Sequence, residues 1–304
     1  LHSGRGDWQD GFYIADQLQD ILNMLGARAE ELGQWQNAAV VYATVAETIQ
    51  EEYGQVYDDG GDVLMVIDEC AKGLHSCLTH IEDAEARRKI LTDLWDIYHW
   101  NIAIGGYGVG DEVPRFILDE ATDEERAMVA QWVQESLETS RDWGKKAYGG
   151  FLLDLKADEL EDDAYVRICR ESGRTMDLIA RLLELNRVKE ALDELASASE
   201  YDVWRAADIF AAHGKAERIL PLMRERAKGD RTRRIKEWLK DYAKEYNQPE
   251  EAYGWIEDLF WQHPGPQRYD ELKAAAQAID HWDETRPELL KRLADEHPET
   301  LEPV

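Results

Sequence analysis

Breaks in this chain recur every 34 residues, and that interval constrains the fold more than any other feature. Pro264 closes the segment 258–264 and Pro298 closes 292–298, each with a His before it and 298 − 264 = 34 residues apart. A further 34 residues back stands Asp230, just after Lys228-Gly229. In the same phase, turn residues stand at His213-Gly214, Asn247-Gln248-Pro249 and His281-Trp282, again 34 apart (247 − 213 and 281 − 247). Each unit reads helix, turn, helix, break. Between the breaks the apolar residues keep helical spacing, as in Leu18, Ile21, Leu22, Leu25, Ala29 and Leu32, and alternating strand-like runs are missing. A helical hairpin cannot bury its apolar face alone, so stacked neighbours must supply the core. The expected fold is all-α, an irregular α-solenoid of stacked helical hairpins. An N-terminal helical-hairpin region is expected over 1–150 and C-terminal repeats over 151–304, with one continuous array as the alternative.

Particular residues resemble the tetratricopeptide pattern. Leu25-Gly26 fits the Leu-Gly of a first helix, Gly33 the turn between helices, Ala38 the small residue of the second helix and Tyr42 the aromatic four positions on. Ala252 and Pro264 repeat the small residue and the terminal proline. Arg218 and Arg286 replace the small residue, and 175–200 runs on a shorter spacing (213 − 186 = 27). The blocks also resemble, in order, the helical region that follows the finger in bacterial SWIM zinc-finger proteins. They are Leu25 to Tyr53 with the acidic loop 57–62, a middle around Trp95, Tyr98 and Trp100, Thr175 to Ala196, Glu200 to Gly214, and pairs ending at Pro264 and towards Pro298. That resemblance implies the C-terminal portion of such a protein without its finger. The Cys-x-Cys and Cys-x-His ligand pairs do not occur here, so zinc binding is not carried over.

Charge narrows the partners. The chain holds 64 acidic and 35 basic residues, a net −29. Such a field repels phosphate backbones, whose affinity for proteins comes from Lys and Arg displacing counterions. Direct nucleic-acid binding and anionic membranes are disfavoured, and solubility is favoured. No stretch approaches the ~20 apolar residues of a membrane span. Residues 1–15 lack the apolar core of a signal peptide. With only Cys70, Cys77 and Cys169, the chain reads as cytoplasmic with reduced thiols.

Several clusters invite chemistry and are better explained without it. Cys70, His75, Cys77 and His80 suggest zinc, but on one helix Cys70 and Cys77 stand ~10 Å apart and His75 points away. Only a break at Gly73 would gather them. Asp58, Asp59, Asp62 and Glu69 echo a calcium loop, yet Val63 stands where its tight turn needs Gly, so a solvated connection is expected. Gly105-Gly-Tyr-Gly-Val-Gly110 lacks the strand and the Lys-Ser/Thr ending of a phosphate cradle. It reads as a flexible turn or domain joint. Arg5-Gly6-Asp7 is a chance match to an adhesion tripeptide. No nucleophile elbow is present, so neither a catalytic residue nor a cofactor is expected.

One stretch departs from the acidic background. From Lys215 to Lys244 there are eleven Lys or Arg against five acidic residues, densest at Arg231, Arg233 and Arg234. Either acids of adjacent repeats neutralise it, or it docks an acidic or phosphate-bearing partner through Arg231, Arg233, Arg234 and Lys236. The sequence therefore points to a non-catalytic scaffold for a protein or peptide partner. The alternative is an accessory module of a nucleic-acid-associated protein whose finger lies elsewhere.

Overall fold

The structure, a computed structural model, describes residues 9–157, 159–229 and 232–296. Arg5-Gly6-Asp7, Asp230, Arg231 and Pro298 lie outside the described residues. Every regular element among the described residues is helical, as the periodicity requires. The chain divides into two compact units, Leu1–Arg174 and Thr175–Val304.

In the first unit α1 (Gln9–Ile21) passes through a π-helical stretch, Leu22–Ala27, into the short α2 (Arg28–Glu31). Then follow α3 (Trp35–Glu52), α4 (Asp62–His80), α5 (Ala84–Ile104), α6 (Val113–Glu120), α7 (Asp123–Thr139), α8 (Asp142–Leu155) and α9 (Asp162–Ser172). Local chemistry fixes their ends. Thr122 and Glu125 form a reciprocal capping box on α7, and the Asp83 carboxylate accepts from Ala86 N at the start of α5, each satisfying donors a helix leaves open. The Asp58 carboxylate accepts from Val63 N and Leu64 N at 3.2 and 3.3 Å. The acidic loop expected to be merely solvated thus caps α4. Along α4 the stripe Val63, Val66, Ile67, Cys70, Leu74, Cys77 and Leu78 is buried, which is the core-facing side of an amphipathic helix.

Two expectations about this unit are corrected. The boundary at 150/151 falls inside α8, where Phe151 and Leu152 are buried and Phe151 meets Tyr98 edge-on with ring centres 5.5 Å apart. A domain cut there would expose this core, and the division falls at 174/175 instead. The glycine-rich stretch is not a domain joint. Gly105, Gly106, Gly108 and Gly110 all have positive φ, so a tight turn is built where other residues would be strained. Gly110 N donates to Asp68 on α4 at 2.8 Å.

The described residues of the second unit form a run of four helical hairpins. They are α10 (Thr175–Glu184) with α11 (Val188–Leu195), α12 (Glu200–Ala212) with α13 (Ala216–Arg226), α14 (Arg233–Glu245) with α15 (Pro249–Gln262), and α16 (Pro266–Ala278) with α17 (Trp282–Glu296). The connector recurs. Arg187 N, Lys215 N, Gln248 N and His281 N each donate back five residues, to the carbonyls of Leu182, Phe210, Ala243 and Ala276. Asn186, Gly214, Asn247 and Asp280 take the left-handed conformation, the usual way to stop a helix and reverse the chain. These residues are 28, 33 and 33 apart (214 − 186, 247 − 214, 280 − 247). The period is thus 33 rather than 34, because His213 and His281 flank the left-handed residue on opposite sides. Between the last two hairpins Ile256, Phe260, Leu272, Leu289 and Leu293 form a common core.

Candidate functional site

The candidate zinc residues are dispersed by the fold. α4 runs unbroken through Gly73. Cys70 and Cys77 are fully buried, and burial pushes both thiols up to about 12, so neither carries at neutral pH the thiolate that nucleophilic chemistry requires. His75 stacks on Phe116 with ring centres 4.2 Å apart, and His80 stacks on Trp35 at 3.7 Å. No group of three metal-ligating side chains comes together among the described residues.

Gly73 has another use. A Cβ there would lie 2.5 Å from the Tyr42 ring, and one at Gly26 would lie 2.9 Å from it. The Tyr42 ring on α3 is therefore seated against bare backbone at both positions. Burial and the neighbouring Glu30 push its hydroxyl well above the usual phenol range.

The basic stretch resolves residue by residue. Arg224 grips Glu251 through Nε and Nη2, both at 2.8 Å. Lys240 and Lys244 meet Glu271 at 3.5 and 2.7 Å. Arg226 donates to Ala196 O at 2.6 Å and Lys215 to Leu183 O at 3.5 Å. Five of the eleven cations are thus spent tying one hairpin to the next. Lys236 is a correction to the docking set. It is 8% exposed and its Nζ donates to Asp258 at 2.8 Å, so it faces the hairpin interior. The signal was present, since Lys236 lies on the apolar stripe Ile235, Leu239, Tyr242 and Ala243, all buried, where a long stem is buried and its head finds a carboxylate. Arg231 lies outside the described residues. Arg233 is exposed and pairs with Glu237 one turn on, at 2.8 Å.

Arg234 differs from the others. Its guanidinium lies 4.6 Å from the Trp204 ring centre and 5.6 Å from that of Tyr201, and among the described residues it makes no ion pair. Ser199, Glu200, Tyr201 and Trp204 from the start of α12 and Thr232 to Ile235 at the start of α14 border a groove of about 640 Å³. The aromatic faces hold the guanidinium plane, leaving its N–H edges for an acceptor. Sequence reasoning found the arginine but missed Tyr201 and Trp204, which lie 30 residues or more away and are brought to it by stacking of the hairpins.

A second groove, of about 420 Å³, runs along the first unit between α3 and α5. Ala39, Val40 and Ala43 line it from α3, and Ala86 and Ile90 from α5. Val40 is 65% exposed. Glu47, Asp83, Glu85 and Asp93 stand along its edges. Nothing in the sequence announced it, because α3 and α5 are separated by a whole helix. No family model and no curated protein matches the chain.

Proposed function

We propose that the chain is a non-catalytic scaffold that docks a partner protein, and that an acidic segment of that partner is held at Arg234. One observation carries this reading: an arginine stacked on two aromatic rings at the lip of a groove, without a carboxylate of its own among the described residues, beside cations that are tied into the hairpins. A planar fork held in this way takes a carboxylate in two parallel hydrogen bonds. The net charge of −29 weighs against nucleic acid as the ligand. The order of helical blocks further supports assigning the chain to the helical region of a SWIM-type protein acting in the cytoplasm. An encoded Cys-x-Cys and Cys-x-His pattern upstream of Leu1 tests that assignment.

The docking test uses a labelled peptide rich in Asp and Glu, with labelled single-stranded and duplex oligonucleotides beside it. A charge-assisted hydrogen bond is worth ~1.5–3 kcal/mol, so Arg234→Ser is expected to weaken the peptide roughly tenfold at low salt, with unchanged helicity. Unchanged affinity with a lower melting temperature would make Arg234 an internal strut and end the proposal. Tighter binding of oligonucleotide than of peptide would favour the nucleic-acid alternative.

A further inference from the structure

The α3–α5 groove has the dimensions, floor and charge of a seat for a helix. Its α3 side runs from Gln36 to Glu47, eleven steps along the helix or ~16 Å at 1.5 Å per residue, which is about three helical turns. The α5 side follows the same direction: the lead-in at Asp83 lies beside the start of α3, with Gln36 and Asn37, while Asp93 and Glu47 influence one another electrostatically. The floor is formed by alanines and by buried Ile81 and Ile90. Side chains this short allow a third helix to approach to an ordinary packing distance of ~8–10 Å. Val40, projecting from the floor with two thirds of its surface in water, supplies the contact a partner would cover.

The edges select the partner's charge. Glu47 and Glu85 are exposed and make no hydrogen bond or ion pair among the described residues. Asp93 is largely covered, and the ion pair with Lys89 is its cationic contact. Lys89 is also the one cation among the residues bordering the groove. Burial outweighs that pairing and raises the Asp93 carboxyl above the ordinary range, because desolvation disfavours the charged form. An apolar floor between carboxylates is complementary to an amphipathic helix with Lys or Arg along both flanks.

We propose that the α3–α5 groove docks a basic amphipathic helix of a partner protein, about three turns long, with its apolar stripe on Ala39, Val40 and Ala43 and its cations against Glu47, Glu85 and Asp93. This site is separate from the Arg234 groove and has the opposite charge preference, so each stands or falls without the other.

The test is fluorescence anisotropy with a labelled synthetic 14-residue peptide carrying Leu and Ala at positions i, i+3, i+4 and i+7 and Lys elsewhere. A scrambled peptide of identical composition is the control for bulk charge. Val40→Glu is the informative variant. It adds a negative charge at an exposed site, so pure electrostatics would tighten binding, whereas loss of apolar seating weakens it. The expected results are a preference for the ordered over the scrambled peptide, at least tenfold weaker binding by Val40→Glu, and a similar loss in the exposed-site double variant Glu47→Lys/Glu85→Lys. Circular dichroism should show unchanged helicity in both variants. Equal binding of the two peptides, or affinity unchanged or improved in Val40→Glu, overturns the proposal. Sedimentation velocity covers the remaining occupant: a dimer of the unmodified chain that Val40→Glu dissociates would assign the groove to a second copy and likewise overturn it.

Discussion

A methyl group at position 26 or 73 has nowhere to go, because the Tyr42 ring already occupies the space. Gly26→Ala and Gly73→Ala are each expected to cost ~1–3 kcal/mol through overpacking, although Ala is ordinarily the better helix former. Gly54, with nothing near its missing Cβ, is the control, and thermal melts of Gly54→Ala should match the unmodified chain. Gly26 and Tyr42 each match a tetratricopeptide position in the sequence, but their contact is visible only in the fold. The role of Gly73 was not legible, because a glycine kept for a ring on another helix carries no local signal. Arg87 was missed for a similar reason. It donates to the carbonyls of Leu78, Ile81 and Glu120 and bonds Glu125 through two nitrogens, yet in sequence it is one more charge on a helix. Its hydrogen bonds hold Glu125 below the ordinary carboxylate range, as Arg224 holds Glu251. A carboxyl depressed in the folded state contributes stability in full above its unfolded value and loses it as pH falls through the folded value. Stability should therefore decline below about pH 4. Arg87→Ala should cost ~1–3 kcal/mol at neutral pH by leaving a half-buried carboxylate and three carbonyls without their donor and flatten that acid limb. Denaturant titrations at pH 7 and pH 3.5 measure both effects.

Among elements, the hairpin connectors decide the register of the second unit. Asn247 and Asp280 take a left-handed conformation that disfavours most side chains. Asn247→Gly should leave stability unchanged or slightly higher, while Asn247→Ala should lower it by ~1 kcal/mol, as read by urea unfolding midpoints. These connectors explain what the sequence could and could not disclose. Helix and turn were legible, since periodicity and punctuation are local. Spacing from His213 to His281 overstates the period by one residue, because backbone geometry makes Gly214 and Asp280 the equivalent positions. The glycine run at 105–110 was legible as a turn. Its attachment to Asp68 on α4 was not, because a hydrogen bond across 42 residues leaves no trace in composition.

For the whole molecule, the account joins an acidic chain of repeated hairpins to partner docking through two grooves of opposite preference. Each unit has its own buried core, so the segment 175–304 made alone should keep its helicity per residue and unfold cooperatively. A shallow, non-cooperative melt would show that it depends on 1–174. The basic stretch illustrates why function was less legible than fold. Counting charges located it, but only the packing of hairpins shows that Glu251, Asp258 and Glu271 take up much of it and that Arg234 is left on its aromatic seat. The most direct test of the scaffold claim is hydrogen–deuterium exchange on the full chain, alone and saturated with its purified cellular partner. The account predicts slowed exchange over 36–47 with 83–93, over 199–205 with 232–236, or over both. Protection confined to other segments, with both grooves exchanging as in the free chain, would contradict it.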